Sequence, residues 1–432
     1  MNITVIGLGY VGLVTAVSFA NMGYRVHGID INKLNVAKIN AGKSPVYEKG
    51  VNELLMKLLN KSLFVHSNYS NNELLESNVI FLCLPTPPKK SGEPDDSFLM
   101  KACKELLKKK FINLNSILIK STVSPGTNAS INKSFIAGGL NVPIISNPEF
   151  LREGSAIHDF NYPDRIIAGI REPNEKNLVE TIYRPLNRRK NKIIFTSPEE
   201  AEITKYASNA MLASKISFMN EISRICDVTN SNINNVRMGM GADHRIGPDF
   251  LYAGLGYGGS CFPKDIKALK WYKKRYGLKV GIIEATEKIN QDQFLRALKK
   301  IQSFYGRSLS KKNITFLGLS FKPETDDVRE SPAIKLLEVL APCVRQIIAY
   351  DPQAITKAKK IIKAKNIKYV KTKKLALAKT HAVVIATEWK EFWNFEVSEL
   401  ELIQDKVIFD TRNILSKENL QKVGIKHIGL GS

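Results

Sequence analysis

The sequence predicts an α/β protein, with a parallel sheet towards each end of its 432 residues and one long helix between them. Three observations predict this. Short apolar runs recur with helical spacing between them up to Ser197. Residues 199–228 then keep helical spacing throughout and carry no strand signature. Alternation of strand and helix returns near Lys311.

Taken in order, residues 3–6 read as a first strand, 11–21 as a helix, and Arg25–Ile29 as a second strand running into Asp30. Further strands are expected at 79–84, 116–120 and 142–146. Strands separated by helices imply βαβ units and a sheet covered on both faces. In the middle, Ile203, Tyr206, Ala207, Ala210, Met211, Ile216, Met219, Ile222 and Ile225 follow one helical stripe. Beyond it come a strand at 313–319, a helix over Pro332–Leu340, and a strand at Gln346–Tyr350 reaching Asp351. Residues 382–387 and Val407–Asp410 supply two more strands.

A hydrophobic content of 44% with 24% charged residues is that of a globular chain of two or three domains. Glycines at 7, 9, 12 and 23 interrupt the first apolar stretch, which therefore reads as neither signal peptide nor membrane span. The five cysteines (83, 103, 226, 261 and 343) are widely spaced with no CxxC pair. That spacing suits reduced thiols in the cytoplasm and argues against a disulfide framework or structural zinc. None of the six histidines falls at a metal-ligand spacing, and no metal is expected. The net charge of +23 would attract polyanions. Its lysines nonetheless lie scattered in amphipathic segments, as at 104–110 and 357–379, with no aromatic interleaving. A solvated surface is the expectation, with neither nucleic acid nor membrane as partner.

Gly7-Leu8-Gly9-Tyr10-Val11-Gly12 fits GxGxxG between a strand and a helix. Such glycines allow a tight turn, close backbone approach to a pyrophosphate, and close packing of helix on strand. The helix start then offers amides and a positive dipole end to the phosphates. Asp30 ends the next strand, where a carboxylate accepts ribose hydroxyls and repels a 2′-phosphate. A Rossmann-type domain binding NAD rather than NADP is predicted.

Three further segments resemble the UDP-glucose 6-dehydrogenase family of nucleotide-sugar dehydrogenases. They are Asn147-Pro148-Glu149-Phe150-Leu151-Arg152-Glu153-Gly154, the Gly256–Asp265 run GYGGSCFPKD, and Gly318-Leu319-Ser320-Phe321-Lys322-Pro323, which continues through Asp326-Asp327-Val328-Arg329-Glu330-Ser331-Pro332. Their order and spacing cover essentially the whole chain. The resemblance implies an NAD domain at 1–198, a central long-helix dimerisation region at 199–300, and a Rossmann-like UDP-binding domain at 301–432. It implies a homodimer, and four-electron oxidation of UDP-glucose to UDP-glucuronate.

Such an oxidation passes through an aldehyde, which a cysteine can hold as a thiohemiacetal and then as a thioester. The resemblance gives that role to Cys261. It assigns water activation to Asp265 with Thr122, oxyanion stabilisation to Lys205 with Asn209, and part of the water network to Glu153. Lys205 and Asn209 are four apart in the helical stretch and so share a face. Cofactor contacts implied are Gly7, Gly9, Tyr10, Val11, Gly12, Asp30, Thr86, Thr122, Glu153, Lys264 and Arg329. Substrate contacts implied are residues 149–153 (Glu149, Phe150, Leu151, Arg152, Glu153), Lys205 and Asn209, then 250–254 (Phe250, Leu251, Tyr252, Ala253, Gly254), Gly258 and Lys322. Arg245 resembles an arginine that reaches the other subunit's substrate. One departure is Asn35, where the family often has Lys or Arg; Lys33 is the candidate substitute.

Related dehydrogenases acting on GDP-mannose or UDP-N-acetylhexosamines share the Gly-Gly-Ser-Cys and Phe-Lys elements. Residues 250–256 and Pro163-Asp164-Arg165 are more similar to the UDP-glucose members. The alternative of another class is a nucleotide-binding scaffold without catalysis. Retention of Thr122, Glu153, Lys205, Asn209, Cys261 and Asp265 together argues against it.

Overall fold

The computed structural model describes residues 1–69, 72–187 and 191–432, and falls into two compact units, Met1–Ser208 and Asn209–Ser432. In the first unit the strands are β1 (Asn2–Ile6), β2 (Arg25–Ile29), β3 (Leu63–His66), β4 (Val79–Leu82), β5 (Ser116–Ile119), β6 (Ile144–Ser146), β7 (Ile166–Gly169) and β8 (Ile193–Thr196). They form one sheet in the order β3-β2-β1-β4-β5-β6-β7-β8, parallel except where β6 meets β7. Residues alternate between its faces, as the pleat requires. Ile3, Val5, Phe81, Leu118 and Ile145 enter one apolar cluster, while Ile6, Ile80, Leu82, Ile117 and Ile144 enter the other. Burial on both faces is why these strands read as continuous apolar runs.

The second unit holds β9 (Asn313–Leu317), β10 (Gln346–Tyr350), β11 (Ile367–Tyr369), β12 (Ala382–Ile385), β13 (Val407–Asp410) and β14 (Lys426–Gly429). Their order is β11-β10-β9-β12-β13-β14, parallel throughout. Ile314, Phe316, Ala349 and Val384 pack on one face, and Leu317, Ile348, Val383 and Ile385 on the other.

The long helix runs Pro198–Thr229 over 32 residues. Pro198 is at its first position, where a missing N–H costs nothing. Ser197 and Glu200 form a reciprocal capping pair: Glu200 N donates to Ser197 Oγ at 3.3 Å and Ser197 N to Glu200 Oε2 at 2.8 Å.

Several predicted strands end earlier than expected. Strand β9 stops at Leu317 because Gly318 turns the chain with a φ of +97°. Five strands carried no expectation. Of these, β11 and β14 are sheet edges with exposed lysines, so their apolar runs are short. Strands β3 (LFVH), β7 (IIAG) and β8 (IIFT) are four residues long, and nothing in their apolar content separates them from the predicted β13 (VIFD). Among the described residues no helix is long and apolar enough to cross a membrane.

Candidate active site

In the first unit the glycine turn is built for close approach. A Cβ on Gly7, which has φ +88°, would lie 2.7 Å from Cys83 O, and one on Gly12 would collide with Gly7 O. A Cβ on Gly9 would meet nothing within 4 Å, so open space lies in front of this turn. The Tyr10–Asn21 helix starts there with Gly9 at its N-cap and no side chain capping it. Asp30 Oδ2 accepts Leu8 N and Oδ1 accepts Asn32 N, both at 2.8 Å, and the carboxylate stays partly exposed with acceptor capacity to spare. These features fit a dinucleotide: room and amides for a pyrophosphate, and a carboxylate for ribose hydroxyls. Val11 packs against the core beside this turn. Lys33 and Asn35 open the Lys33–Asn40 helix, capped by Asn32.

Thr86 and Thr122, far apart in sequence, come together: Thr86 Oγ1 donates to Thr122 O at 2.7 Å. The segment around Glu149 is irregular backbone held by its own charge. Glu149 Oε1 accepts Phe150 N at 2.7 Å and Leu151 N at 3.2 Å, while Oε2 pairs with Lys120 Nζ at 2.6 Å. Lys120 is buried, and the neighbouring Glu149 carboxylate and Tyr183 hold its pKa above the ordinary lysine value despite the desolvation that opposes this. A buried pair of this kind is a poor source of net stability but strongly fixes geometry, because neither ion can be left alone. Two cations lie over the Phe150 ring, Arg165 at 3.9 Å and Lys205 Nζ at 4.8 Å from its centroid. Lys205 itself is buried. Arg152 turns onto Asp159, donating from Nε at 2.9 Å and Nη2 at 2.7 Å. Glu153 is half-buried, next to Gly154, whose N–H donates to Glu48 Oε2 at 2.6 Å and to Tyr10 Oη at 2.9 Å. Glu48 also takes Ala156 N at 2.8 Å and the Tyr10 hydroxyl, so it ties this segment to the glycine turn.

In the second unit Cys261 is exposed and occupies the N-cap of the Phe262–Tyr276 helix. Negative charge placed there is stabilised by the helix dipole. Its sulfur lies 3.6 Å from Ser260 Oγ. One turn on, Asp265 is 1% exposed and held from both sides. Asn209 Nδ2 donates to Oδ2, and Lys264 Nζ to Oδ1, each at 2.6 Å. Gly258 and Gly259 allow their loop to lie against residues 321–332. A Cβ on Gly258 would sit 2.6 Å from Glu330 O, and one on Gly259 2.8 Å from the Phe321 ring, while Gly259 N donates to Arg329 O at 2.9 Å. The GGSC and FKP elements are thereby brought together. Lys322 Nζ lies 5.6 Å from the Phe321 ring centroid, and the Arg329 guanidinium grips Asp327. The 250–254 stretch is shaped by Phe250 at φ +63° and by Gly254 N donating to Asn220 Oδ1 at 2.7 Å. Leu251 and Ala253 are buried, and Tyr252 is exposed beneath Arg237. Arg245 is exposed and clamps Asp243 within its own turn.

The other cysteines are differently placed. Burial pushes the Cys83 and Cys103 thiols up to about 12 and raises Cys226. Among the described residues no group of three His, Cys, Asp or Glu side chains could hold a metal ion.

Sequence profiles of the UDP-glucose/GDP-mannose dehydrogenase family match three parts of the chain: the NAD binding domain at residues 1–187, the central domain at 199–292, and the UDP binding domain at 315–417. The chain belongs to this family. It is a dehydrogenase whose cofactor is NAD. It is 38% identical over 436 residues to the UDP-glucose 6-dehydrogenase of Rickettsia conorii, covering all of both chains. It is similar in structure to a UDP-glucose dehydrogenase from Pyrobaculum islandicum, with a TM-score of 0.89, 33% identity, and coverage of 100% of this chain and 97% of that one. A UDP-D-ManNAc dehydrogenase from Pyrococcus horikoshii gives a TM-score of 0.84 and 27% identity, covering 100% and 99%.

Sequence reasoning missed the residues that hold these family elements in place. Lys120 under Glu149, Glu48 under Tyr10 and Gly154, and Asn220 and Asn290 under residues 254–257 carry no local pattern. A further one, Glu202, accepts amide N–H groups from Gly126 and Asn128 at 2.7 and 2.9 Å. Burial pushes its carboxyl up to about 7, against the lowering effect of those N–H groups.

Proposed function

We propose that this chain oxidises the 6-hydroxymethyl group of UDP-glucose to the carboxylate, through a thiohemiacetal and a thioester on Cys261, as a cytoplasmic homodimer. The observation that carries the chemistry is the start of the Phe262–Tyr276 helix: an exposed thiol at the N-cap and, one turn later, a buried carboxylate held by Asn209 and Lys264. Full-length identity to proteins named UDP-glucose 6-dehydrogenase supports the substrate.

Two NAD⁺ molecules, bound in turn, would each accept one of the two hydrides that leave the substrate carbon, the hydroxyl proton of each oxidation passing to water. Asp30, Thr86, Thr122, Glu153, Lys264 and Arg329, with the glycine turn, are the residues assigned to holding the cofactor. Cys261 adds its sulfur to the C6 aldehyde and gives a thiohemiacetal, and the second oxidation leaves a thioester. Asp265 with Thr122 takes a proton from the water that cleaves the thioester, which releases the carboxylate and returns the thiolate. Lys205 offers an ammonium to the oxyanion that develops on C6, and a preorganised charge of this kind is usually the largest catalytic contribution. Glu153 joins the water network, Lys322 supplies charge to the substrate, and residues 149–153, 250–254 and Gly258 line it. Arg245, planar and always charged, is assigned to the partner subunit's nucleotide sugar.

Met211, Phe218 and Ile225 are exposed at seven-residue steps along the long helix, with Val228 beside them, and this supports a dimer packed on that face. Five unpaired cysteines support a reducing compartment.

The test is NADH formed per sugar consumed, with UDP-glucose, UDP-galactose, UDP-N-acetylglucosamine, UDP-N-acetylmannosamine and GDP-mannose. Two NADH per UDP-glucose, with little from the rest, is the expected result. Turnover confined to UDP-N-acetylmannosamine would overturn the substrate and favour the reading suggested by the Pyrococcus likeness. Cys261→Ala should form no acid yet keep its NAD affinity; Cys261→Ser should accumulate an ester visible as added mass on the intact protein.

A further inference from the structure

We propose that Glu202 is a positioning residue, whose carboxylate fixes the segment carrying Thr122 against the helix carrying Lys205. The inference rests on the functional reading above, in which those two residues serve one reaction. Glu202 lies in the first turns of the Pro198–Thr229 helix, three residues before Lys205, and is 3% exposed. Its Oε2 accepts Gly126 N at 2.7 Å, and Oε1 accepts Asn128 N at 2.9 Å and Ser146 Oγ at 3.3 Å. One carboxylate thus grips the turn that ends the Thr122 segment and opens the Thr127–Ala137 helix.

The rest of that turn is fixed to the sheet. Asn128 Nδ2 donates to Ile144 O at 2.9 Å, and Arg171 Nη2 donates to Asn128 Oδ1 at 2.6 Å. On the upstream side, Ser121 Oγ accepts Leu84 N at 2.8 Å and Thr86 holds Thr122 O. Against this frame, Glu202 is the bond to the Lys205 helix.

The chemistry of the cap supports the reading. Helices are ordinarily capped by a small polar residue at their own start. Here that position is Gly126, which has no side chain, and the cap comes from a residue 76 positions away. Burying a carboxylate is expensive, and burial pushes Glu202 up to about 7. A serine at position 126 would be strained at φ +94°, and its hydroxyl could take the Asn128 amide but not its own N–H. What a remote carboxylate adds is the link between two elements that each carry a site residue.

The experiment compares wild type and Glu202→Gln on whichever nucleotide sugar the wild type oxidises. It follows kcat, KM, and the fraction of protein carrying covalent substrate by intact mass during turnover. Glutamine keeps the shape but turns an NH₂ towards one of the two amides. The expected result is a kcat lower by up to roughly 10²-fold, the scale of a small misplacement of catalytic groups. KM should stay within about threefold, and the covalent fraction on Cys261 should rise, because thioester cleavage needs both Thr122 and Lys205. Glu202→Asp retains the charge and shortens the reach, so it should show a weaker form of the same pattern if the glutamine variant does not fold. An unchanged kcat overturns the inference alone. So does a lower kcat with the wild-type covalent fraction, which means fewer competent molecules rather than misplaced groups. A wild type silent on every sugar overturns the functional reading, and this inference with it.

Discussion

The two sheets share a plan and differ in what they leave open. Each places its third, second, first, fourth, fifth and sixth strands side by side in that order. In each, the first strand ends at a left-handed glycine, Gly7 or Gly318, followed by leucine, and the second strand ends at an aspartate. Leu8 N donates to Asp30, and Leu319 N donates to Asp351, at 2.8 and 2.7 Å. There the likeness ends. Asp30 is partly exposed with one amide on each oxygen. Asp351 is 1% exposed, and its oxygens also take Ser320 N and Oγ, Gln353 N, Ala354 N and the Trp389 indole. Helix Tyr10–Asn21 begins directly after its glycine turn, whereas residues 318–331 intervene before Pro332–Leu340. The same scaffold binds a dinucleotide only where the aspartate has lone pairs left and a helix start faces open space.

Glycine substitutions should separate the two most sharply. Gly12→Val drives its side chain into Gly7 O and should lower NAD affinity by more than about 100-fold, read by calorimetry. Gly318→Ala should leave NAD affinity alone. It forces a φ of +97° on alanine and brings Cβ into Thr387, so it should cost about 3 kcal/mol of stability. NAD affinity falling equally in both variants would break the comparison.

The aspartates come next in size. Asp30→Asn removes a charged acceptor from the ribose and should weaken NAD by roughly 10- to 100-fold, while easing discrimination against NADP. Asp351→Asn should bind NAD as wild type does. It turns donors onto donors in a closed site, and should cost about 3 kcal/mol in denaturant unfolding.

These contrasts also show what the sequence could and could not reveal. Gly7 to Gly12 and Asp30 were legible because a dinucleotide turn is local: every residue in it answers to the next few. Residues 256–265 were legible for the same reason, and the 32-residue helix because its apolar spacing repeats many times. The supports were not legible. Glu48 reaches Gly154 across 106 positions, and Glu202 reaches Gly126 across 76. No periodicity encodes such a pairing; it exists only once the strands have set the distances. Glu149 and Glu153 illustrate the limit. Spaced like a surface pair, they lie on irregular backbone, and Glu149 is committed to the buried Lys120.

The smallest effect expected is one of pH. Strand pairing sets Thr4 beside His27 in the first sheet and Thr315 beside Ile348 in the second, so a histidine stands where the other sheet has an apolar residue. His27 is stacked on Phe64 and His66, with Nδ1 3.2 Å from His66 Nε2 and Arg25 at its other nitrogen. Burial first, then the charges of His66 and Arg25, lower its pKa to about 4, with Glu73 opposing. The unfolded histidine titrates near 6.5, so between there and about 4 the unfolded chain binds the extra proton. The first unit therefore loses stability from His27 as pH falls through that window. Glu202 works in the opposite sense, since its folded pKa is raised to about 7 and acid favours its folded form. The informative quantity is thus the difference between wild type and His27→Ile, which installs the other sheet's residue. Thermal melts at pH 7 and 4.5 should show wild type losing a few degrees more than the variant on acidification. Equal losses would mean that this histidine is as neutral to stability as its isoleucine counterpart.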